Sequence, residues 1–293
     1  MYKFFYFLSL ISLSICQISD FSYSGAEVSA MSGAVVSSES GDHTIFHNPA
    51  GMTEINTSQF SSGGGKLYGY NWLSYYYLTA IMQIPIIGKT GVGIQQLGTK
   101  YNGVSLSSED VISIAKGFNL QLDKNSHLAI GYTANIIMWD IANSAGVSGD
   151  GSDGLQISGL NTFTLDFGAL GSLRNKYRFG VLIKNINSGS IGKGITRQVL
   201  KRRINTGVTY IPVEGLYTSI AAEYVLGDEE LQLKGSIQYK LNTFLTIYTG
   251  AQAKPNRFGV GTKFTLGKYN ICYGILTHPV LPMTHQFKIG LTL

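Results

Sequence analysis

Five stretches of the sequence combine residue types that could do chemistry. His43 and His47 stand four apart beside Asp42, a spacing that puts two imidazoles on one helical face toward a metal ion. No third ligand lies nearby, so a pair of hydrogen-bonded histidines in a packed segment is the better reading. Asp150-Gly151-Ser152-Asp153-Gly154 is as oxygen-rich as a calcium turn, but it lacks the spacing of a full loop and a closing glutamate, and reads as a flexible polar loop. Gly63-Gly64-Gly65-Lys66 lacks the spacing and the Ser or Thr of a phosphate-binding loop, and no helix follows; a strand or a bend in a lumen fits it. Lys201-Arg202-Arg203 is the one basic run, a candidate contact for anionic lipid headgroups or a partner, with a solvated loop end as the plainer alternative. His278-Pro279 and Thr284-His285 flank a proline-containing loop and read as rim residues that pack it. No Ser/His/Asp grouping and no carboxylate pair can be assigned to a common place, so the sequence offers no catalytic residue, cofactor site or metal centre.

The elements that must position these residues are strands. The last stretch, 257 to 293, contains three segments of two-residue alternation. In the final one, Phe287, Ile289, Leu291 and Leu293 oppose Gln286, Lys288, Gly290 and Thr292. Successive strand side chains point to opposite faces, so each segment has one apolar and one polar face. The same pattern runs back to about residue 59. It gives about fourteen strand candidates: 59–70, 73–84, 89–98, 109–122, 126–140, 159–172, 177–186, 203–211, 215–226, 231–241, 243–252, 257–266, 268–276 and 284–293. Lys116 falls on the apolar face of the fourth. Residues 17–58 do not alternate. They are small and polar, and suit short helical turns, with Asn48-Pro49-Ala50-Gly51 as a local turn.

Charged residues make up only 13% of the 293, while 36 glycines, 18 tyrosines and 14 phenylalanines are present. A soluble domain of this size carries about twice that charge share, whereas a barrel facing lipid need not. The formal charge of +5 is spread along the chain and does not point to nucleic acid. Residues 1–16 have one lysine followed by an apolar run of signal-peptide length, with Cys16 as a weak candidate for lipidation. Without Cys16, Cys272 has no partner for an intrachain disulfide. No later run reaches about 18 apolar residues, so a membrane location demands a barrel. The connections sort by parity. They are short after even strands (85–88, 123–125, 173–176, 212–214, 242 and 267) and several are long after odd ones (99–108, 141–158, 187–202 and 277–283). Short turns at one end and long loops at the other is the layout of an outer-membrane barrel with extracellular long loops. The apolar faces then point at lipid, and the small polar faces enclose a narrow lumen filled by the 17–58 segment. Tyr75 to Tyr77, Tyr269 and Tyr273 are candidates for interfacial aromatic girdles.

Two regions carry a family resemblance. Gly25, Ala26, Met31, Gly33 and Ala34, followed by Phe46, Asn48, Pro49, Ala50 and Gly51, resemble the N-terminal signature of FadL-like outer-membrane proteins and of the PorV/PorQ family. Gly259 and Gly261, Tyr269 and Tyr273, His278-Pro279, Thr284-His285 and the final strand resemble the C-terminus of PorV/PorQ-type proteins. The resemblance implies an all-β fold: a transmembrane antiparallel barrel of about fourteen strands, residues 59–293, with residues 17–58 as an N-terminal plug. It implies outer-membrane lipid as surroundings. The leading function it implies is accessory to type IX-like protein secretion, with secretion components and secreted cargo as partners. The alternative is a FadL-like channel passing hydrophobic small molecules through a lateral opening. The short chain and the terminal Leu293, where barrels more often end in an aromatic, depart from the family pattern.

Overall fold

The computed structural model describes residues 23–38, 41–85, 88–123, 125–142, 159–192, 197–228 and 230–293. The expected signal at 1–16, Cys16 and the Asp150–Asp153 turn lie outside them. Sixteen strands are present among the described residues: β1 Gln59–Lys66, β2 Leu73–Ile84, β3 Gly88–Tyr101, β4 Val104–Leu122, β5 Ser126–Ile141, β6 Leu160–Leu173, β7 Tyr177–Lys184, β8 Ser190–Ile191, β9 Gln198–Val199, β10 Arg203–Tyr210, β11 Leu216–Val225, β12 Gln232–Lys240, β13 Leu245–Ala253, β14 Arg257–Leu266, β15 Tyr269–Leu276 and β16 Thr284–Thr292. Fourteen of them form a closed antiparallel barrel, in which β7 pairs with β10 and β16 returns to β1. β8 and β9 form a small separate hairpin.

Side-chain parity sets the two faces. On β16, Phe287 and Ile289 are 46% and 51% exposed on the outside, while Gln286 and Lys288 between them are 0% and 4% exposed inside. This apolar exterior on a closed cylinder is that of a transmembrane barrel. Lys116 lies on the outer face of β4, its ammonium 4.9 Å from the Phe118 ring, where a long stem lets the charge reach the interface.

Two expectations are corrected. Tyr75 and Tyr77 are not girdle residues: they are buried in the lumen at 0% and 3%, and only Tyr76, 57% exposed, faces outward. Residues 99–108 are not a long loop. β3 and β4 run on to Tyr101 and Val104, joined at Asn102-Gly103, both with positive φ (48° and 82°), the conformation of a tight hairpin turn.

Residues 23–38 and 41–55 occupy the lumen, and Ser58 already pairs with Leu293 beside β1. The lumenal residues form α1 Ala26–Ala30, α2 Thr44–His47 and a 3-10 helix Pro49–Glu54. Helices this short gain little from propensity; their stability comes from packing, since all of α1 and α2 is buried. Inward glycines make the packing feasible. Gly117, Gly131 and Gly168 sit side by side on β4, β5 and β6. A Cβ on Gly131 would lie 2.5 Å from the carbonyl carbon of Pro49, and one on Gly168 would lie 2.3 Å from Asn48 Oδ1. Across the lumen, a Cβ on Gly250 would meet the Met31 backbone at 2.4 Å. Bare backbone at one level of the wall lets the segment sit against it.

Candidate functional site

The Asn48-Pro49-Ala50-Gly51 motif builds a seat. Asn48 is extended (φ −168°, ψ 97°) and leads into the 3-10 helix, with Pro49 at its first position, where a missing N–H costs nothing. Its Oδ1 accepts from Ala50 N–H at 3.2 Å. Its Nδ2 donates to Val36 O at 2.7 Å, within the segment, and to Ala169 O at 3.1 Å, on the wall. One carboxamide therefore ties two turns of the plug to β6. Ala50 packs with Ala129 and Leu170, and Phe46 meets the Tyr77 ring edge-on with centroids 6.5 Å apart.

A charged cluster fixes the other side. Lys288 of β16 donates to Asp42 at 2.8 Å and to Glu27 of α1. Asp42 also accepts from Ser61 at 2.5 Å and Thr79 at 3.3 Å. Burial alone would raise the Asp42 pKa, but Lys288, His43 and the hydroxyl of Ser61 together hold it far below the usual carboxylate range. His47 Nε2 donates to Ser24 O at 3.0 Å. Burial, with the neighbouring Lys184, pushes the His47 pKa well down, and burial lowers His43 as well. The two rings are 6.3 Å apart and tilted by 50°, and His43 Nε2 has no hydrogen-bond partner. His47 Nε2 is taken up by Ser24 O, and no group of three metal-ligating residues occurs among the described residues.

The basic run splits. Lys201 pairs with Asp228 at 2.5 Å in solvent, and Arg202 is exposed. Arg203 turns inward, 8% exposed, and binds Glu223 at 3.1 Å, which Lys234 also clasps. Arg203 is therefore withdrawn from the surface run, of which Lys201 and Arg202 are the exposed members. The C-terminal motif packs the rim. His278 Nδ1 accepts from Leu281 N–H at 3.0 Å, and its ring meets Tyr68 edge-on at 5.3 Å. Partial burial, aided by Arg257, lowers the His278 pKa, in keeping with an acceptor nitrogen. Thr284 Oγ1 accepts from Tyr68 N–H at 2.9 Å, and His285 bonds Tyr273 at 2.7 Å. Pro279 lies in the turn between them. Gly63 to Lys66 is strand β1, with a Cβ on Gly64 excluded by Tyr75 O at 2.3 Å.

The lumen wall is asymmetric, which alternation alone does not reveal. On β10 to β16 the buried inward residues include Arg203, Glu223, Lys234, Gln252, Gln286 and Lys288. On β2 to β5 they include Leu73, Tyr75, Ile81, Leu97, Val111, Ile137 and Trp139. The latter form one contiguous apolar cluster with Ile45, Phe46 and Met52 of the plug below and with Ile191 and Leu200 of the β8–β9 region above. An apolar column thus runs from the long-loop end to the plug, with buried Glu109 of β4 set in register between Leu97 and Trp139 and with Gln95 and Asn135 beside it.

The wall beside this column has one weak seam. β7 pairs with β6 only from Phe167 to Leu173; among the described residues no strand is laddered to Leu160–Asp166 on that side, although β8 lies against it. The Asn187 side chain stands in for the missing ladder, accepting from Leu165 N–H at 3.1 Å and donating to Phe163 O at 2.8 Å. Ile186 N–H adds one bond to Leu165 O at 2.9 Å.

No protein-family model matches the chain, and no curated protein matches it. Solved structures do. The toluene transporter TbuX of Ralstonia pickettii aligns over 93% of this chain and 98% of its own, with a TM-score of 0.62 and 12% identity. The toluene transporter TodX of Pseudomonas putida aligns over 94% and 99%, with a TM-score of 0.57 and 12% identity. A FadL homologue of Pseudomonas aeruginosa aligns over 92% and 97%, with a TM-score of 0.56 and 9% identity. The chain shares the fold of these transport proteins. At such identities the likeness extends to the fold alone.

Proposed function

We propose that this protein is an outer-membrane channel for hydrophobic small molecules, with its long loops extracellular and its short turns periplasmic. The observation that carries this reading is the apolar column. Seating the plug accounts for the lower part of the column, around Ile45, Phe46 and Met52; above it Leu97, Val111, Ile137 and Trp139 carry the apolar surface on past the plug. Ligand sites are mostly apolar, with a few polar groups to orient the ligand, and the column offers Trp139, Tyr75 and Phe46 with Gln95 close by, bonded to Tyr75. The resting channel is closed: Ile191 and Leu200 occupy the space that an entering molecule takes, and the plug forms the floor. A bound molecule leaves sideways through the Asn187 seam, into the membrane, where two side-chain hydrogen bonds and one backbone bond replace a full ladder. The secretion reading rested on the C-terminal motif, whose residues here pack the rim. The transporter fold of the structural neighbours supports the channel alternative instead.

Uptake of radiolabelled toluene and naphthalene by cells carrying the protein in their outer membrane tests the proposal. Uptake above that of cells with an empty vector, and reduced by Leu97→Asn, is expected. Uptake equal to the empty vector, with correctly inserted protein, sinks it.

A further inference from the structure

The exterior carries a second feature that the channel does not use. Over β1 the outward side chains shrink to Ser62 and Gly64, between the taller Leu78 on β2 and Ile289 on β16. The result is a groove of about 610 Å³ at Ser62, bounded by the apolar Phe60, Leu78, Ala80, Ile94 and Ile289, with Ser61 and Thr79 also in its lining. That volume is in the range of ligand sites rather than of surface roughness. Toward the long-loop end the same outer faces of β2 and β3 continue from Leu78 to Tyr76 and from Ile94 to Gln96. There they open into a polar recess of about 220 Å³ that contains Lys100, Ser105 and Ser108. The acidic Asp110 on this face is already engaged, accepting from Gln96 at 2.8 Å and from Ser108 at 3.3 Å. Lys66, above the groove, is turned to Asn71. Lys100 is left as the cation facing the recess.

From Ala80 to Ser74 the groove runs six residues along β2, about 20 Å at strand rise. This compares with about 15 Å for the hydrocarbon half-thickness of a bilayer plus its headgroup zone. Apolar trough, polar head and length together match one amphiphile standing in one leaflet. We infer that the outer wall of β1 to β4 is a binding site for a phosphate-bearing acylated lipid of the leaflet at the long-loop end. Its chain lies over Ser62 and Ala80, and its phosphate lies at Lys100. The inference stands apart from the channel reading, since every group it uses faces away from the lumen.

Native mass spectrometry of the full-length barrel, released from phosphatidylcholine nanodiscs doped with phosphatidylglycerol or with diacylglycerol of the same chains, tests it. Preferential retention of phosphatidylglycerol is expected. Lys100→Gln should lower it about fivefold, the attraction of one surface cation for an anionic lipid. Ala80→Trp and Ser62→Leu, each filling the trough, should lower it as well in protein that still migrates as a folded barrel. Equal retention of diacylglycerol, unchanged retention in all three variants, or saturable binding of inorganic phosphate in detergent with no lipid preference would each overturn it.

Discussion

Gly131→Ala is the most revealing single change to the plug. The added methyl would lie 2.5 Å from the Pro49 carbonyl carbon and 2.6 Å from the Ala50 nitrogen. Carbon atoms rest at about 3.5–4.0 Å, so the 3-10 helix must retreat by about 1 Å. Both atoms are backbone, and Gly168 and Gly117 hold the same helix from either side, so no side chain can yield instead. Overpacking of this kind costs about 1–3 kcal/mol, or roughly a five- to 150-fold rise in the unseated fraction. The segment from 23 to 58 contains no Lys or Arg but three glutamates, of which Glu54 is half-buried and Glu27 is buried at 5%, so the fragment cut after Glu27, resolved by mass, is the one that reports seating. A glutamate-specific protease applied in detergent therefore reports unseating through cleavage after Glu27, at a rate set by the open population. Gly98→Ala is the control, with nothing within 4 Å of its Cβ position. Equal cleavage rates in the two variants would refute the idea that bare backbone seats the plug.

Three further outcomes follow from the same contacts. Asn48→Ala removes two donated bonds and one accepted bond and leaves Val36 O without its side-chain donor, so the Glu27 cleavage rate should rise by the equivalent of about 1–3 kcal/mol. Lowering the pH should loosen the plug in two stages. The depressed pKa values of His43 and His47 mean that their contribution is full above the ordinary value of 6.5 and falls as the pH drops below it; that of Asp42 is full above 3.8 and falls only below that, as measured by protease sensitivity against pH. His47→Gln should shrink the first stage to the share of His43 and leave the second. Asn187→Ala should loosen the β6 edge, read as faster amide exchange at Leu165 than at the fully laddered Leu170, with no change at β13.

Much of the barrel was legible because alternation survives wherever one face is apolar and the other is not, as on β12 and β16. The parity of Lys116 was read correctly for the same reason. Where both faces are apolar, period two names two faces but not which one turns inward. Tyr75, Tyr76 and Tyr77 are such a case: only the plug, through Phe46 against Tyr77, decides the side. The β3–β4 turn was hidden in a polar stretch, although Asn102-Gly103 is the residue pair that tight hairpins favour. Arg203 was taken with its run because its partner Glu223 lies on another strand, and strand pairing is invisible to local sequence. The glycines were legible as small inward residues. Their lining up across β4, β5 and β6 needed the register. The apolar column combines four strands, the plug and a loop, so no single stretch announces it.

The central claim is that the column between Trp139 and Phe46 receives an apolar guest. Crystals of the protein soaked in bromobenzene test this most directly, through anomalous bromine density. The account predicts a peak inside the barrel among Trp139, Leu97, Tyr75 and Phe46, with Ile191 and Leu200 displaced. Bromine peaks confined to the outer wall, with the column unchanged, would contradict it.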